Sequence, residues 1–410
     1  MSLLVVPANP LRGLRVLVAA TASSTHLSGV PRHAANLARC LLTRAEIAEV
    51  HIVAAPWQAG ALSSALPDDE PRLTLHLRDP GSNPFSRNLW YYRQLPLLAA
   101  KLGVDLVHLS YPVPLKRKAF ACPVVVTLHD LYPYDIPENF GFPKVIFNRA
   151  ILRQCLNEAD AVTCVSETTL ERLDVYLPGI ALQKAATVYN CIERSSAAAT
   201  TCPMPNWHGE RFLLCVAQHR RNKNIILALQ TFQRLLQTGD IAHNSRFVIV
   251  GIDGPESTRI SRFVREAALT NRVVLLRGVA DTELDWCYEH CDLLLATSSI
   301  EGFGLPVVEA MLHRCRIVCS NIPAFREVGG SYCEYADLSP DPLNAFVQAA
   351  RSSLRKAKPD KTVIDRFSVV RVAEGYAALY TRLASEGVVQ PNIALCSKNY
   401  QVLKEGNYEG

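Results

Sequence analysis

Two glutamates, Glu301 and Glu309, stand eight positions apart in the run Thr-Ser-Ser-Ile-Glu-Gly-Phe-Gly-Leu-Pro-Val-Val-Glu-Ala-Met at residues 297–311. An ionised carboxylate only accepts hydrogen bonds, so the pair suits a ligand rich in hydroxyl groups. Between them lie Gly302, Phe303, Gly304 and Leu305, then Pro306. The apolar stretch Cys291 to Ala296 leads in and reads as a buried parallel strand. Pro306 fits the first turn of a helix, where its missing N–H costs nothing. Val307, Val308 and Ala310 to Leu312 continue that helix. The order strand, glycine turn, helix aims the open N–H groups of the helix start at the carboxyl edge of a sheet. That is a site for an anion such as a diphosphate. Glu301 falls in the turn and Glu309 about one turn into the helix.

Three other places carry candidate chemistry. Arg220-Arg221-Asn222-Lys223-Asn224 follows the strand Phe212–Ala217 and precedes a helix, which puts its cations on a sheet's carboxyl edge. The bland alternative is a solvated basic loop. His129 ends the apolar strand Pro123–Leu128 and faces outward at the carboxyl end. A satisfied structural histidine is the alternative there. Ser28-Gly29-Val30-Pro31-Arg32 follows the first strand region and opens a helix; Gly29 leaves room for close backbone approach, or simply makes a turn.

These residues need a scaffold, and the chain supplies two. At 410 residues it is too long for one typical core. Its first half alternates strand candidates Arg15–Ala20, Glu49–Ala55, Leu73–Arg78, Asp105–Ser110, Val124–His129, Ala161–Ser166 and Ala186–Tyr189 with helices such as Pro31–Leu42 and Asn88–Leu102. Alternation of this kind predicts a parallel α/β sheet. Around Cys191–His208 the pattern dissolves into Ser, Ala, Thr and Pro. It restarts with strands Arg211–Ala217, Ser245–Gly251, Arg272–Gly278, Cys291–Thr297 and Arg316–Ser320, and with helices Ile225–Gln237 and Asp281–His290. Two such halves imply a ligand-binding cleft between domains.

Bulk composition excludes several classes. Half the residues are apolar and a fifth are charged, so the chain is globular. A net charge of +5 and the absence of a basic, aromatic-interleaved helix give no case for nucleic acid. The thirteen cysteines lack C-x-x-C spacing and read as small core residues in a reducing compartment. The start Met-Ser-Leu-Leu-Val-Val-Pro lacks the charged leader of a signal peptide, and no apolar stretch approaches a membrane span. The expectation is a cytoplasmic protein whose membrane contact, if any, is peripheral at the inner face.

The string Glu-Gly-Phe-Gly-Leu-Pro-x-x-Glu-Ala-Met resembles the E-x7-E segment of retaining glycosyltransferases of family 4, which have the GT-B fold. The resemblance extends through Leu-Pro-Leu-Leu-Ala-Ala-Lys-Leu-Gly-Val-Asp-Leu-Val-His at 95–108, Val-Val-Thr-Leu-His-Asp-Leu at 125–131 and Ala-Asp-Ala-Val-Thr-Cys-Val-Ser-Glu at 159–167. Residues 1–14, 56–72 and 387–410 fall outside it. It implies two Rossmann-like domains with parallel sheets facing an interdomain cleft. Their bounds are an acceptor-side domain at 1–195, a linker at 196–209 and a nucleotide-sugar domain at 210–368. A helix at 369–386 crosses back to the first domain. The tail 387–410 is polar with few large apolar residues, and from that composition is expected to be mobile.

The same resemblance assigns roles. Glu309 meets the ribose hydroxyls, and Glu301 lies near the sugar and phosphates. The N–H groups of Gly302, Phe303, Gly304 and Leu305 meet the sugar and diphosphate. Lys223 matches the lysine that binds the donor phosphates, His129 contacts the transferred sugar, Gly29 approaches the diphosphate, and the backbone of Val279 meets the base. The implied catalytic set is Glu301, His129 and Lys223. There are departures: Ala217 stands where glycine is usual, Gln218 where many members have arginine, and one glycine, Gly29, where a pair is usual. Arg220 or Arg221 supplies the second charge, and Arg221 is named in the donor site.

The activity implied is transfer of a hexose from a nucleotide-diphosphate sugar to a hydroxyl of a glycan or lipid-linked acceptor, with retention and without a cofactor. Residues 90–173 look most like mannosyltransferases of bacterial polysaccharide assembly, so GDP-mannose leads and UDP-sugars follow. No Asp-x-Asp pair occurs, so no catalytic metal is expected. A non-catalytic nucleotide-sugar or glycan binder is the runner-up. A nicotinamide oxidoreductase lacks its G-x-G-x-x-G turn. Lys116-Arg117-Lys118 and the helix Pro143–Asn157, with Lys144, Arg149 and Arg153, could touch anionic lipid, although charges on a helix are ordinarily its solvated face. Trp90-Tyr91-Tyr92 with Leu89 and Leu95 reads as core packing rather than a sugar platform.

Overall fold

The structure is a computed structural model that describes residues 13–22, 29–81, 83–194, 201–360 and 364–386. Ser28, the stretch 195–200 at the head of the expected linker, and the tail 387–410 lie outside the described residues. The chain divides into two compact units. One runs to Cys191 and takes up the chain again from Val369; the other is Ile192–Ser368.

The first unit is a seven-stranded parallel sheet: β1 (Leu14–Ala19), β2 (Ile47–Ala54), β3 (Leu73–Leu77), β4 (Leu106–Leu109), β5 (Val124–Leu128), β6 (Ala161–Cys164) and β7 (Ala185–Thr187). Their order is β3-β2-β1-β4-β5-β6-β7. Its helices are α1 (Val30–Leu42), α2 (Ala59–Ser63), α3 (Pro84–Leu102), α4 (Tyr132–Asp135), α5 (Lys144–Glu158), α6 (Glu167–Tyr176) and α7 (Pro178–Lys184). Strand β5, Val-Val-Val-Thr-Leu, is buried along its whole length because helices cover both faces. On one face Leu17, Leu109, Val126 and Val162 pack under Leu95 of α3 and Leu152 and Leu156 of α5. On the other, Val16, Val18 and Val125 pack under Leu37 and Leu41 of α1. Tyr376 and Tyr380 of the last helix, Val369–Glu386, join that second layer, so the chain end completes the first unit.

The second unit repeats the plan with six parallel strands: β8 (Phe212–Val216), β9 (Arg246–Val250), β10 (Val273–Leu276), β11 (Leu293–Ala296), β12 (Ile317–Ser320) and β13 (Glu334–Ala336), ordered β10-β9-β8-β11-β12-β13. Its helices are α8 (Ile225–Gln237), α9 (Ser257–Glu266), α10 (Asp281–His290), α11 (Leu305–Leu312), α12 (Pro323–Gly329) and α13 (Pro342–Arg355); the last helix of the chain is α14. Phe232 of α8, Ile260 of α9 and Phe346 of α13 pack on Leu213, Phe247, Leu293 and Val318 of the sheet.

In both sheets the strand order reverses once, between β1 and β4 and between β8 and β11. Loops leaving two such neighbouring strands go to opposite faces, and the gap between them at the carboxyl edge is where α/β sheets take ligands. The strand β13 is not legible in the sequence, because three residues carry too little pattern. Helix α3 starts at Pro84 rather than Asn88, because the Asn83 side chain accepts a hydrogen bond from Ser86 N–H and Pro84 occupies the first turn. Within α3, Tyr91 and Leu95 are buried and Trp90 packs on the core, whereas Leu89 and Tyr92 are exposed. The expected core cluster is therefore only partly core.

Candidate functional site

The loop after β8 and the loop after β11 meet at the reversal point of the second sheet. Lys223 closes a single 3-10 turn, Arg221–Lys223, after β8. Glu301 lies in the loop after β11. The Lys223 ammonium sits 2.5 Å from Glu301 Oε1, and Ser298 Oγ donates to the same oxygen at 2.7 Å. Both charged side chains are mostly buried, at 18% and 9% exposure, so their attraction is less screened than a surface pair's. The loops are also cross-braced: Thr297 Oγ1 donates to the carbonyls of Lys223 and Asn224, at 3.0 Å each, and Ser299 N–H donates to that of Asn222 at 2.8 Å. This bracing fixes the ammonium and carboxylate as one unit.

Downstream, Gly304 caps α11 with φ of 106°, a conformation that disfavours any side chain. A Cβ there would stand 2.9 Å from the ring of Phe325. The Phe303 side chain is buried edge-on to Phe367, ring centroids 5.5 Å apart, so it packs within the fold rather than facing a ligand. Val307 and Val308 N–H both donate to the Gly304 carbonyl and Pro306 has no N–H. Neither valine N–H nor Pro306 is therefore a backbone donor for an anion. Glu309 accepts a hydrogen bond at 2.7 Å from the Tyr288 phenol of α10. Burial, then the Glu309 charge, pushes the Tyr288 pKa well up, so the phenol stays a donor. Its ring stacks on His313 at 5.6 Å.

Arg220 and Arg221 are both exposed beside Lys223. Val279 is half-buried in the loop between β10 and α10. Ala217 packs against the core of the second unit, so its methyl does not project into the loop region.

In the first unit the reversal point brings Gly29 and His129 to one edge. Gly29 caps α1 with φ of 52°, and α1 carries His33 to within 4.8 Å of the His129 ring, edge to face. His129 Nε2–H donates to the Ser110 carbonyl at 2.8 Å, which leaves Nδ1 as the ring's lone pair. Beneath them runs a chain of buried groups. Tyr380 O–H meets His108 Nδ1 at 2.7 Å, His108 Nε2 meets Thr127 Oγ1 at 2.8 Å, Thr127 Oγ1 meets His33 Nε2 at 3.2 Å, and His33 Nδ1 meets Asn190 Oδ1 at 3.2 Å. A carbonyl oxygen can only accept, so His33 donates from Nδ1 and accepts at Nε2, and a single direction of donation from Tyr380 to Asn190 satisfies every neutral ring. Burial is the main cause that lowers the pKa of all three histidines, His108 to about 3. At the same edge Thr21 Oγ1 and Ser110 Oγ are buried and find no partner among the described residues. Among the described residues no group of three or more His, Cys, Asp or Glu is placed to hold a metal ion.

Residues 27–196 match Glycosyltransferase Family 4 and residues 205–333 match Glycosyl transferases group 1. The chain is a family 4 glycosyltransferase. It shares 26% identity over 242 residues with the O-antigen chain mannosyltransferase RfbU of Salmonella typhimurium, covering 59% of this chain and 62% of that one. With O-antigen chain mannosyltransferase B of Escherichia coli it shares 24% over 369 residues, 83% of this chain and 91% of that one. The catalytic domain of starch synthase IV from Arabidopsis thaliana, bound to ADP and acarbose, shares the fold with a TM-score of 0.65 at 15% identity, over 91% of this chain and 100% of that domain. The glycosyltransferase has the GT-B fold and takes its sugar from a nucleotide sugar.

Sequence reasoning on this glycosyltransferase missed Ser298, Tyr288, His33 and His108. Ser298 and His33 sit within four residues of recognised candidates and were findable from that proximity. Tyr288 and His108 carry no local signal, because their partners come from other strands and helices.

Proposed function

We propose that the enzyme transfers a hexose, with mannose favoured, from a nucleotide-diphosphate sugar to a hydroxyl of a glycan or lipid-linked acceptor, with retention, in polysaccharide or glycolipid assembly. The reading rests on one observation: Lys223 and Glu301 are locked together at the reversal point of the second sheet, with Glu309 at the start of the helix that follows. The Lys223 ammonium and the N–H groups of Gly302, Phe303, Gly304 and Leu305 then stabilise charge on the departing diphosphate. Glu309, aimed by Tyr288, accepts from the ribose hydroxyls. Arg221 adds a second cation, Gly29 leaves room for the diphosphate, and the Val279 backbone meets the base. His129 offers Nδ1 to a sugar hydroxyl, and the hydroxyls of Thr21 and Ser110, which find no partner among the described residues, suit a hydroxyl-rich ligand beside it. The acceptor oxygen bonds the anomeric carbon as the carbon–phosphate-oxygen bond breaks, and the proton passes to the leaving phosphate. No metal is required in this scheme.

Mannose is favoured because the two relatives named above are mannosyltransferases. A panel of nucleotide sugars tested for thermal stabilisation identifies the donor, since a ligand of the native state raises its stability. GDP-mannose should give the largest shift. Turnover of the stabilising donor in excess chelator, even as slow hydrolysis without acceptor, should persist. Binding without any turnover would make the protein a nucleotide-sugar binder instead.

A further inference from the structure

We propose that the first unit docks on an anionic phospholipid bilayer through the outer side of α3 and the start of α5. The observation is a set of large apolar side chains left in solvent. Phe142 is 84% exposed, Phe147 64% and Ile146 54%, all within six residues at the head of α5; Phe85 at the head of α3 is 78% exposed. Single exposed apolar residues are ordinary, but a cluster of this kind marks an interaction surface.

Its charge is equally one-sided. The segments 84–102, 112–120 and 139–158 contain nine Lys and Arg and one acid, Glu158, which accepts from Arg117 N–H. Two of the nine are already engaged: Arg117 pairs with Asp160, and Arg149 donates to the Pro133 carbonyl. Arg93, Lys116, Lys118, Lys144 and Arg153 are exposed; Lys144 opens α5 beside the apolar residues, whereas the 116–118 loop lies by Glu158 at the other end of that helix. Lys116 lies 5.9 Å over the ring of Tyr92, itself on the exposed side of α3. Leu115 is tied to Gln154 of α5 by a hydrogen bond of 3.0 Å from its N–H, so the basic loop bridges the two helices. Apolar side chains amid basic ones match the interface of a bilayer, which offers hydrocarbon and anionic phosphate together. A second copy of the chain would bring the same positive surface against itself.

The topology orients this surface. Both α3 and α5 pack on the same face of the sheet, since their buried residues share one core. Each follows a parallel strand and returns along it, so both helix starts stand at the carboxyl edge. Gly29 and His129 lie at that same edge. Docking therefore presents that edge to the membrane surface, where a lipid-linked acceptor would reside. No described helix is long and apolar enough to cross a membrane, so the attachment is to the surface. The inference does not depend on the transferase mechanism, because vesicle binding needs no turnover.

The test is co-sedimentation of the full chain with vesicles of phosphatidylcholine alone or mixed with phosphatidylglycerol, at low and raised salt. Binding should require phosphatidylglycerol and weaken with salt. Phe142→Ser with Phe147→Ser should lower binding by about tenfold or more. Arg93→Glu with Lys144→Glu should lower it most at low salt, with melting temperature and circular dichroism unchanged in both pairs. A Phe147→Trp variant should show blue-shifted emission on anionic vesicles only. Absence of vesicle binding, equal binding to neutral vesicles, or unaltered binding by both double variants overturns the proposal. So does a dimer in sedimentation velocity that the phenylalanine variants dissociate.

Discussion

The Lys223 ammonium and Glu301 Oε1 stand 2.5 Å apart across two loops that are 78 residues distant in sequence. The pair arises because β8 and β11 are neighbours in the sheet although two strands separate them in the chain. An ion pair at this depth holds the lysine in one place before any phosphate arrives. Lys223→Ala should therefore lower kcat by roughly 100-fold or more while changing KM little, since its partner gains charge in the transition state. Lys223→Arg should recover part of the rate. Steady-state kinetics showing a pure KM effect for Lys223→Ala would remove the lysine from the leaving-group role.

Tyr288 makes a second, separable prediction. Its phenol fixes Glu309 from a neighbouring helix and reaches no proposed substrate atom itself. Tyr288→Phe should weaken donor binding by about 1 kcal/mol, near fivefold, with kcat preserved. Glu309→Ala should cost roughly 1.5–3 kcal/mol because a charge-assisted bond is lost outright. Calorimetry with the nucleoside diphosphate compares the two. A Tyr288→Phe loss as large as that of Glu309→Ala would mean that the tyrosine acts through the fold rather than through the carboxylate.

The histidine chain of the first unit links stability to pH. His33 and His108 are buried and His129 is half-buried, and in each the pKa lies below the ordinary value of 6.5, chiefly through desolvation. As pH falls through the unfolded value, the unfolded chain takes up protons that the native chain resists. Stability is thus complete above about pH 6.5 and declines below it, for His108 down to about 3. Each ring contributes up to ~1.4 kcal/mol per pH unit inside its window. Urea unfolding of the wild type should show this acid-side loss, and His33→Gln with His108→Gln should flatten it. An unchanged slope in the double variant would locate the proton uptake elsewhere.

How much of this was legible in the sequence depends on the range of the interaction. The strand–turn–helix around Glu301 was readable because glycine and proline punctuate it locally, and the alternation of strands and helices announced two parallel sheets. Strand order is not a local property, so the meeting of Lys223 with Glu301 could not be read from either loop. The same holds for Thr127, which accepts from His108 and donates to His33 on separate elements. On the helix Pro143–Asn157 the sequence drew attention to Lys144, Arg149 and Arg153, whereas the exposed apolar pair Ile146 and Phe147 appears only in the structure. Periodicity reports that a helix has an apolar side; it does not say what covers that side.

The last prediction is stereochemical and turns on His129. An inverting transfer needs a base that takes the acceptor proton on the face opposite the leaving group. His129 is the residue best suited by type, but the structure makes it a weak base. Its Nε2–H is spent on the Ser110 carbonyl, and burial holds its pKa down. A protonated ring would also face His33 at 4.8 Å, whose own ring lies 6.1 Å from that of His108. In the proposed scheme the leaving phosphate is formed beside Lys223, is the better proton acceptor, and lies on the face from which it departs. The acceptor hydroxyl should enter on that face, and an α-linked donor should give an α-linked product. His129→Asn should then lower kcat by about tenfold, a lost hydroxyl contact, rather than the 1,000-fold or greater loss of a missing base. Proton NMR of the initial product reads the anomeric coupling directly. A β-linked product, or a collapse of turnover in His129→Asn with donor hydrolysis intact, would assign the base role to His129 and overturn retention.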